Sequence, residues 1–222
     1  MRRSRLLAVV LLFAVACTAP RARRSTPATD NSGFLDDYSQ LRPGREGGFA
    51  LVYRNPKADW TKYDEVLLEP VTLWRSGRKA LDSVPEGDLL RLIADLETVV
   101  RRRLDTTFRM TDEPGPRTLR IRLAITEARE TDPILDVLRG HGRDDVTKGM
   151  GPLHEETRRF IENAEIEGEI RDGATNELLA AGVDKRRAGA PEIATWAELD
   201  RGLEQWAKRV FAPLALRTNP AR

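Results

Sequence analysis

The 222-residue chain has one cysteine, Cys17, and two histidines, His141 and His154. One cysteine excludes an intramolecular disulfide, and neither C-x-x-C nor H-E-x-x-H occurs, so no metal site with recognisable ligand spacing can be read. Walker loops, G-x-G-x-x-G and G-x-S-x-G are also missing, which removes the nucleotide-binding and nucleophile-elbow readings. Ser39, Ser76 and Ser83 stand in no nucleophile turn. No repeat of solenoid length is visible. The longest apolar run, residues 6–16, is shorter than the about 20 residues that a membrane-spanning helix needs.

That run has a different meaning at the N-terminus. Arg2, Arg3 and Arg5 precede it, and the small residues Ala14 and Ala16 lead to Cys17. Positive start, short apolar stretch and small-residue site make a signal peptide over residues 1–16. Cys17 then fits a bacterial lipobox, in which its thiol takes a diacylglycerol and its freed amine a further acyl chain such as palmitate. Ala14-Val15-Ala16 also satisfies an ordinary export site, which would leave Cys17 a free thiol. Lipidation is the preferred expectation, because the chain's one cysteine lies at the cleavage point. Residues 17–32, rich in Ala, Arg, Pro, Ser and Thr, read as a disordered tether. Thr18, where aspartate would signal inner-membrane retention, favours the periplasmic face of the outer membrane.

Charge offers no foothold for nucleic acid. The whole chain is formally +2, but three of its 37 basic residues leave with the signal peptide, so 34 remain against 35 acidic residues. Arginine dominates the basic set, with only six lysines, which reads as a genomic preference before it reads as function.

Residues 33–222 are long enough for one domain with its own core. Phe34, Leu35, Tyr38 and Leu41 return apolar side chains at helical spacing after the tether. Strands are expected near residues 49–53, at residues 63–71 and at residues 118–126, where Leu119, Ile121, Leu123 and Ile125 alternate with polar residues. A hairpin is expected from residues 166–170 and 178–183, with turn residues 172–177 between them. Ser83-Val84-Pro85-Glu86 and Thr195-Trp196-Ala197-Glu198 have capping-box spacing before two apolar stripes. Residues 130–160, with four glycines and a proline between 140 and 152, read as a solvated loop. The expected architecture is a two-layer α+β domain, with four to five strands in a mixed or antiparallel sheet and two amphipathic helices on one face.

Taken together, several stretches resemble an uncharacterised family of bacterial lipoproteins, domain of unknown function 3313. They are Ser32-Gly33-Phe34-Leu35-Asp36-Asp37-Tyr38, Leu41-Arg42-Pro43-Gly44, Ala50-Leu51-Val52-Tyr53 with Asn55-Pro56, residues 63–71, and Leu73-Trp74. The likeness is clear over residues 32–74 and looser beyond. It implies a lipoprotein and no known chemistry. The element order also looks like small periplasmic lipoprotein domains that bind and regulate envelope machines, a likeness at the level of fold.

The candidates for chemistry are few. His141 and His154, with Asp144, Asp145, Glu155 and Glu156, lie in the 130–160 segment, and a metal site there is less expected than a loop. The acidic pairs Asp36-Asp37, Asp144-Asp145 and Glu155-Glu156 would suit acid/base work only if they faced each other across a cleft, which adjacent residues rarely do. Trp206 belongs to a helix stripe, whereas Trp60, Trp74 and Trp196 lie near loops and are the expected partner contacts. The expectation is a non-enzymatic, lipid-anchored scaffolding or regulatory module without cofactor or metal. Its partners would be the membrane and an envelope protein. The alternative is a periplasmic hydrolase acting on cell-wall material.

Overall fold

The computed structural model describes residues 31–45, 48–75, 80–126, 151–185 and 192–218, all within one unit, residues 31–222. Its organising strand is the one whose alternation is cleanest. Strand β6 (Thr118–Thr126) turns Leu119, Ile121, Leu123 and Ile125 to one face, none more than 7% exposed. Arg120, Arg122, Ala124 and Thr126 face the opposite way, as the pleat requires. Strand β7 (Glu165–Asp172) pairs with it antiparallel along the whole length, from Leu119 opposite Asp172 to Thr126 opposite Glu165.

The other edge of β6 carries two short parallel partners. Strand β3 (Glu65–Leu68) sits opposite residues 118–121, and strand β4 (Thr72–Trp74) sits opposite Ala124, Ile125 and Thr126. They amount to one strand interrupted at Pro70, which has no N–H to give the ladder. Strand β8 (Leu178–Lys185) pairs antiparallel with β7, and strand β2 (Leu51–Arg54) with β8. Two-residue strands β1 (Arg42–Pro43) and β5 (Arg109–Met110) close the ends. The order is β1-β2-β8-β7-β6-β3-β5, with β4 beside β6.

Among the described residues three helices accompany the sheet: α1 (Glu86–Asp105), α2 (Glu155–Asn163) and α3 (Trp196–Thr218). Leu92, Leu96 and Val100 of α1, Phe160 of α2, and Leu199, Phe211 and Leu214 of α3 join the apolar face of β6 in one core. Each such large side chain contributes about 2 kcal/mol by leaving water. No helix among the described residues is long and apolar enough to cross a membrane.

The mixed α and β architecture agrees with the sequence reading, but the counts do not. Among the described residues eight strands replace four to five, because β1, β4 and β5 are too short to show a period. The third helix, α2, comes from the end of the segment read as loop; its buried residues are Thr157 and Phe160, too few for a visible stripe. Of the two capping boxes, one forms. Glu198 Oε2 accepts the N–H groups of Ala194 and Thr195 at 2.9 and 3.0 Å, while Thr195 Oγ1 accepts from Glu198 N at 3.3 Å. These bonds, the Ala194 one foremost, hold the Glu198 carboxyl below its ordinary pKa. The other box fails, and α1 is capped by Pro85 without a side-chain bond. Proline disfavours helical geometry in the residue before it, so Val84 cannot continue a helix from Ser83. Ser83 instead ends a short 3-10 turn, Ala80–Ser83.

Two buried aspartates lock the frame. Asp172 opens the β7–β8 turn, with Oδ1 accepting from the N–H groups of Ala174 and Thr175 at 2.9 and 2.8 Å. Its Oδ2 takes the Lys62 ammonium and the Tyr63 hydroxyl, both at 2.7 Å. Asn176 completes the turn at φ 61°, a left-handed conformation that asparagine tolerates. Asp184 of β8 accepts from Trp206 Nε1 at 3.0 Å and Arg209 Nη2 at 2.8 Å, tying α3 to the sheet, and from Ala50 N at 3.1 Å.

Candidate functional site

The sheet face away from the helices is covered by residues 32–41, the stretch where apolar side chains return after the tether. Phe34, Leu35 and Leu41 are buried there with Ala124, Ala181 and Val183. Their helical spacing produces no helix. Gly33 at φ 85° and the bond from Ser39 N to Asp37 Oδ1, 2.8 Å, favour turns instead. Ser32 Oγ accepts from Phe34 N at 3.0 Å, and its carbonyl accepts from Trp74 Nε1 at 3.0 Å. The Phe34 ring stands edge-on to Trp74, centroids 5.6 Å apart. The result is a strap bound at several points.

Beneath the strap lies a layer of acids and arginines. Glu169, 2% exposed, receives Arg122 at 2.5 Å and Arg171 at 3.0 Å. Arg171 also reaches Asp36 at 2.6 Å, and its hydrogen bond to Glu169 raises its pKa above the usual value. Arg120 pairs with Glu69. Glu167, 1% exposed, takes the Tyr38 hydroxyl at 2.5 Å and the Thr126 hydroxyl at 3.2 Å. The oxygens of these buried carboxylates are taken up by donors of the fold.

The acidic pairs diverge. Asp36 turns to Arg171, whereas Asp37 bonds Ser39 and Gln40 within the strap. Glu155 is consumed by Arg158 and by Arg159, the latter at 3.1 Å. Asp144, Asp145 and His141 lie outside the described residues, as do Ser76 and Cys17. His154 stands at the N-terminus of α2, its Nδ1 2.8 Å from Asp88 of α1, and Thr157 donates to the same carboxylate. No group of three potential metal ligands occurs among the described residues.

Each of the three tryptophans expected as partner contacts has its ring engaged in packing. Trp60 is 9% exposed and meets Tyr63 edge-on, centroids 6.5 Å apart. Trp196 is 5% exposed under the Arg91 guanidinium, 4.0 Å from the ring centroid. Trp74 is half-buried against Phe34.

The unfilled space lies on the helix side. Gly168 and Gly182 face each other across β7 and β8 in the middle of the sheet. Leu123 and the Phe49 ring lie close over these glycines, and beside them the second half of α3 borders a cavity of about 70 Å³. Trp60, Phe49 and Ile170 help wall it, and Arg54 of β2 and Arg217 of α3 line it as well. Burial foremost, then the charges of Arg217 and Arg45, lowers the pKa of Arg54. Sequence reading missed this site because β2 and the end of α3 meet only through the fold.

A family model described as "Protein of unknown function (DUF3313)" matches residues 30–210. Nothing among curated proteins matches the chain. Similar solved structures include the dodecamer of a leucine-to-methionine variant of PelC from Paraburkholderia phytofirmans, 10% identical with a TM-score of 0.34, covering 74% of this chain and 95% of that one. The PelC dodecamer from the same organism in another crystal form is 11% identical with a TM-score of 0.30, covering 75% and 96%. At this level no property passes from those proteins to this chain.

Proposed function

We propose, for a chain that belongs to that family of unknown function, a lipid-anchored envelope protein whose domain is a non-catalytic binding module. The observation that carries this reading is the strap. A domain hung from its own N-terminus needs a joint where the tether ends, and terminal segments are poorly ordered unless tied down. Residues 32–41 are tied by buried Phe34, Leu35 and Leu41 and by the Tyr38 to Glu167 bond. Supporting the non-catalytic part, the buried acids Glu167, Glu169, Asp172 and Asp184 each spend their oxygens on structural donors.

The test uses metabolic labelling with an alkyne fatty acid. The wild-type chain is expected to carry label and fractionate with membranes, whereas Cys17→Ser is expected to lose both properties. Label or membrane attachment retained in Cys17→Ser overturns the anchor. Hydrolysis of cell-wall material by the purified wild-type protein overturns the non-catalytic reading.

A further inference from the structure

The cavity beneath α3 joins an apolar interior to a cationic rim, and the two halves have the same explanation. Its interior is lined by Phe49, Ile170, Phe211 and Leu214, so water gains few hydrogen bonds there. A volume of about 70 Å³ is near half of the roughly 150 Å³ that holds a benzene ring, room for the end of an alkyl chain. Pro213 sits in the roof, where its missing N–H removes one rung of α3.

At the rim, Arg54 and Arg217 line the cavity, and neither forms an ion pair among the described residues. Most arginines in this fold do the reverse, as Arg120, Arg122, Arg158 and Arg171 show. Like charges brought together without an acid repel, which costs stability that a bound anion would recover. Burial first, and then the charges of Arg217 and Arg45, disfavour the charged form of Arg54. The C-terminal end of α3 adds about half a negative charge nearby, less than either guanidinium supplies.

We propose that this cavity binds a single-chain amphiphile with an acidic headgroup, a fatty carboxylate, its chain end under α3 and its carboxylate on Arg54 and Arg217. Planar guanidinium groups suit a carboxylate, offering paired N–H donors that a lysine lacks. This deepens the binding-module reading by naming a ligand class.

The experiment incubates the purified full-length protein, held in amphipol, with radiolabelled dodecanoate and follows the label that the protein retains. Saturable binding is expected, displaced by unlabelled dodecanoate and not by uncharged dodecanol at the same concentration. The double variant Arg54→Gln, Arg217→Gln changes two exposed side chains, leaves the core untouched, and is expected to bind about tenfold or more weakly. Lysophosphatidylglycerol is the second competitor. Displacement by it assigns the acidic chain to a phospholipid source, and failure to displace confines the site to free fatty acids. No saturable binding by the wild type, equal binding by the double variant, or displacement by dodecanol as effective as by dodecanoate overturns the proposal. If binding is absent while Cys17-dependent membrane attachment persists, this site falls and the anchor reading stands.

Discussion

Tyr38 donates its hydroxyl proton to Glu167 Oε2 across 2.5 Å, joining residues 129 positions apart in sequence. The bond fastens the strap to the centre of the sheet and supplies one of two hydroxyl donors to a carboxylate that is 1% exposed. Burial, and then this bond, raise the Tyr38 pKa above its ordinary value. The same hydroxyl accepts from Leu35 N at 3.1 Å, so one oxygen orders the strap and holds it down.

Tyr38→Phe keeps the ring and removes the oxygen. It is expected to cost about 2 kcal/mol, because Glu167 stays buried with only Thr126 donating. Urea unfolding measures the loss. Limited proteolysis is expected to cut the variant first within residues 32–41, and an unchanged cleavage pattern would show that the apolar contacts of Phe34 and Leu35 suffice.

Asp172 makes stability depend on pH. Burial alone would raise its pKa, but bonds from Lys62, Tyr63 and two backbone N–H groups outweigh that and hold it well below the ordinary 3.8. A depressed folded pKa contributes stability above the unfolded value, lost as pH falls below it. Asp172→Asn is therefore expected to cost about 2 kcal/mol near pH 6 and much less near pH 3, narrowing the gap to wild type. Urea midpoints at both pH values check this. A gap that stays constant would reassign the acid sensitivity to other carboxylates.

The alkaline limb has the opposite sign. Burial, and then the Asp172 bond, push Tyr63 from 10.0 up to about 12. A raised folded pKa gives stability that is complete below 10.0 and fades as pH climbs toward about 12. Tyr63→Phe is expected to flatten that decline, read by denaturant titrations between those limits. A decline as steep as that of wild type would show that other groups dominate.

These groups show how far the sequence could be read. Alternation in β6, the stripes of α1 and α3, and the turn at Asp172 are local patterns, and each appears where the spacing places it. The failures are also local. Pro85 defeats the first capping box, and Gly33 bends a stretch with helical spacing. The polar face of β6 reads as solvated, yet Thr126 is fully buried, because a strap from the far end of the chain covers it. Neither the Tyr38–Glu167 bond nor the meeting of Arg54 with Arg217 has a sequence signal. Each joins side chains from elements distant in the chain, and only the sheet order β2-β8-β7-β6 brings those elements together.

The facing glycines give the last prediction, in which direction and relative size both follow from neighbours. A Cβ at Gly168 would come within 2.6 Å of Leu123 Cδ2, the tip of a flexible side chain beside the cavity. A Cβ at Gly182 would meet two atoms of the Phe49 ring at 2.9 Å and Leu51 O at 3.2 Å. Both Cβ atoms would approach a backbone carbonyl, Arg122 O at 3.3 Å for Gly168 as Leu51 O for Gly182, so the difference lies in the side chains: the tip of Leu123 can rotate, whereas the Phe49 ring yields less readily. Gly182→Ala is therefore expected to cost about 2 kcal/mol, the usual size of an overpacking penalty. Gly168→Ala is expected to cost less than about 1 kcal/mol, since removing glycine from a strand offsets part of the strain. Parallel urea titrations of the two variants settle the order. If Gly168→Ala proved the more damaging, the space beside Leu123 would be unable to accept its side chain, and the cavity floor would be more rigid than its empty volume implies.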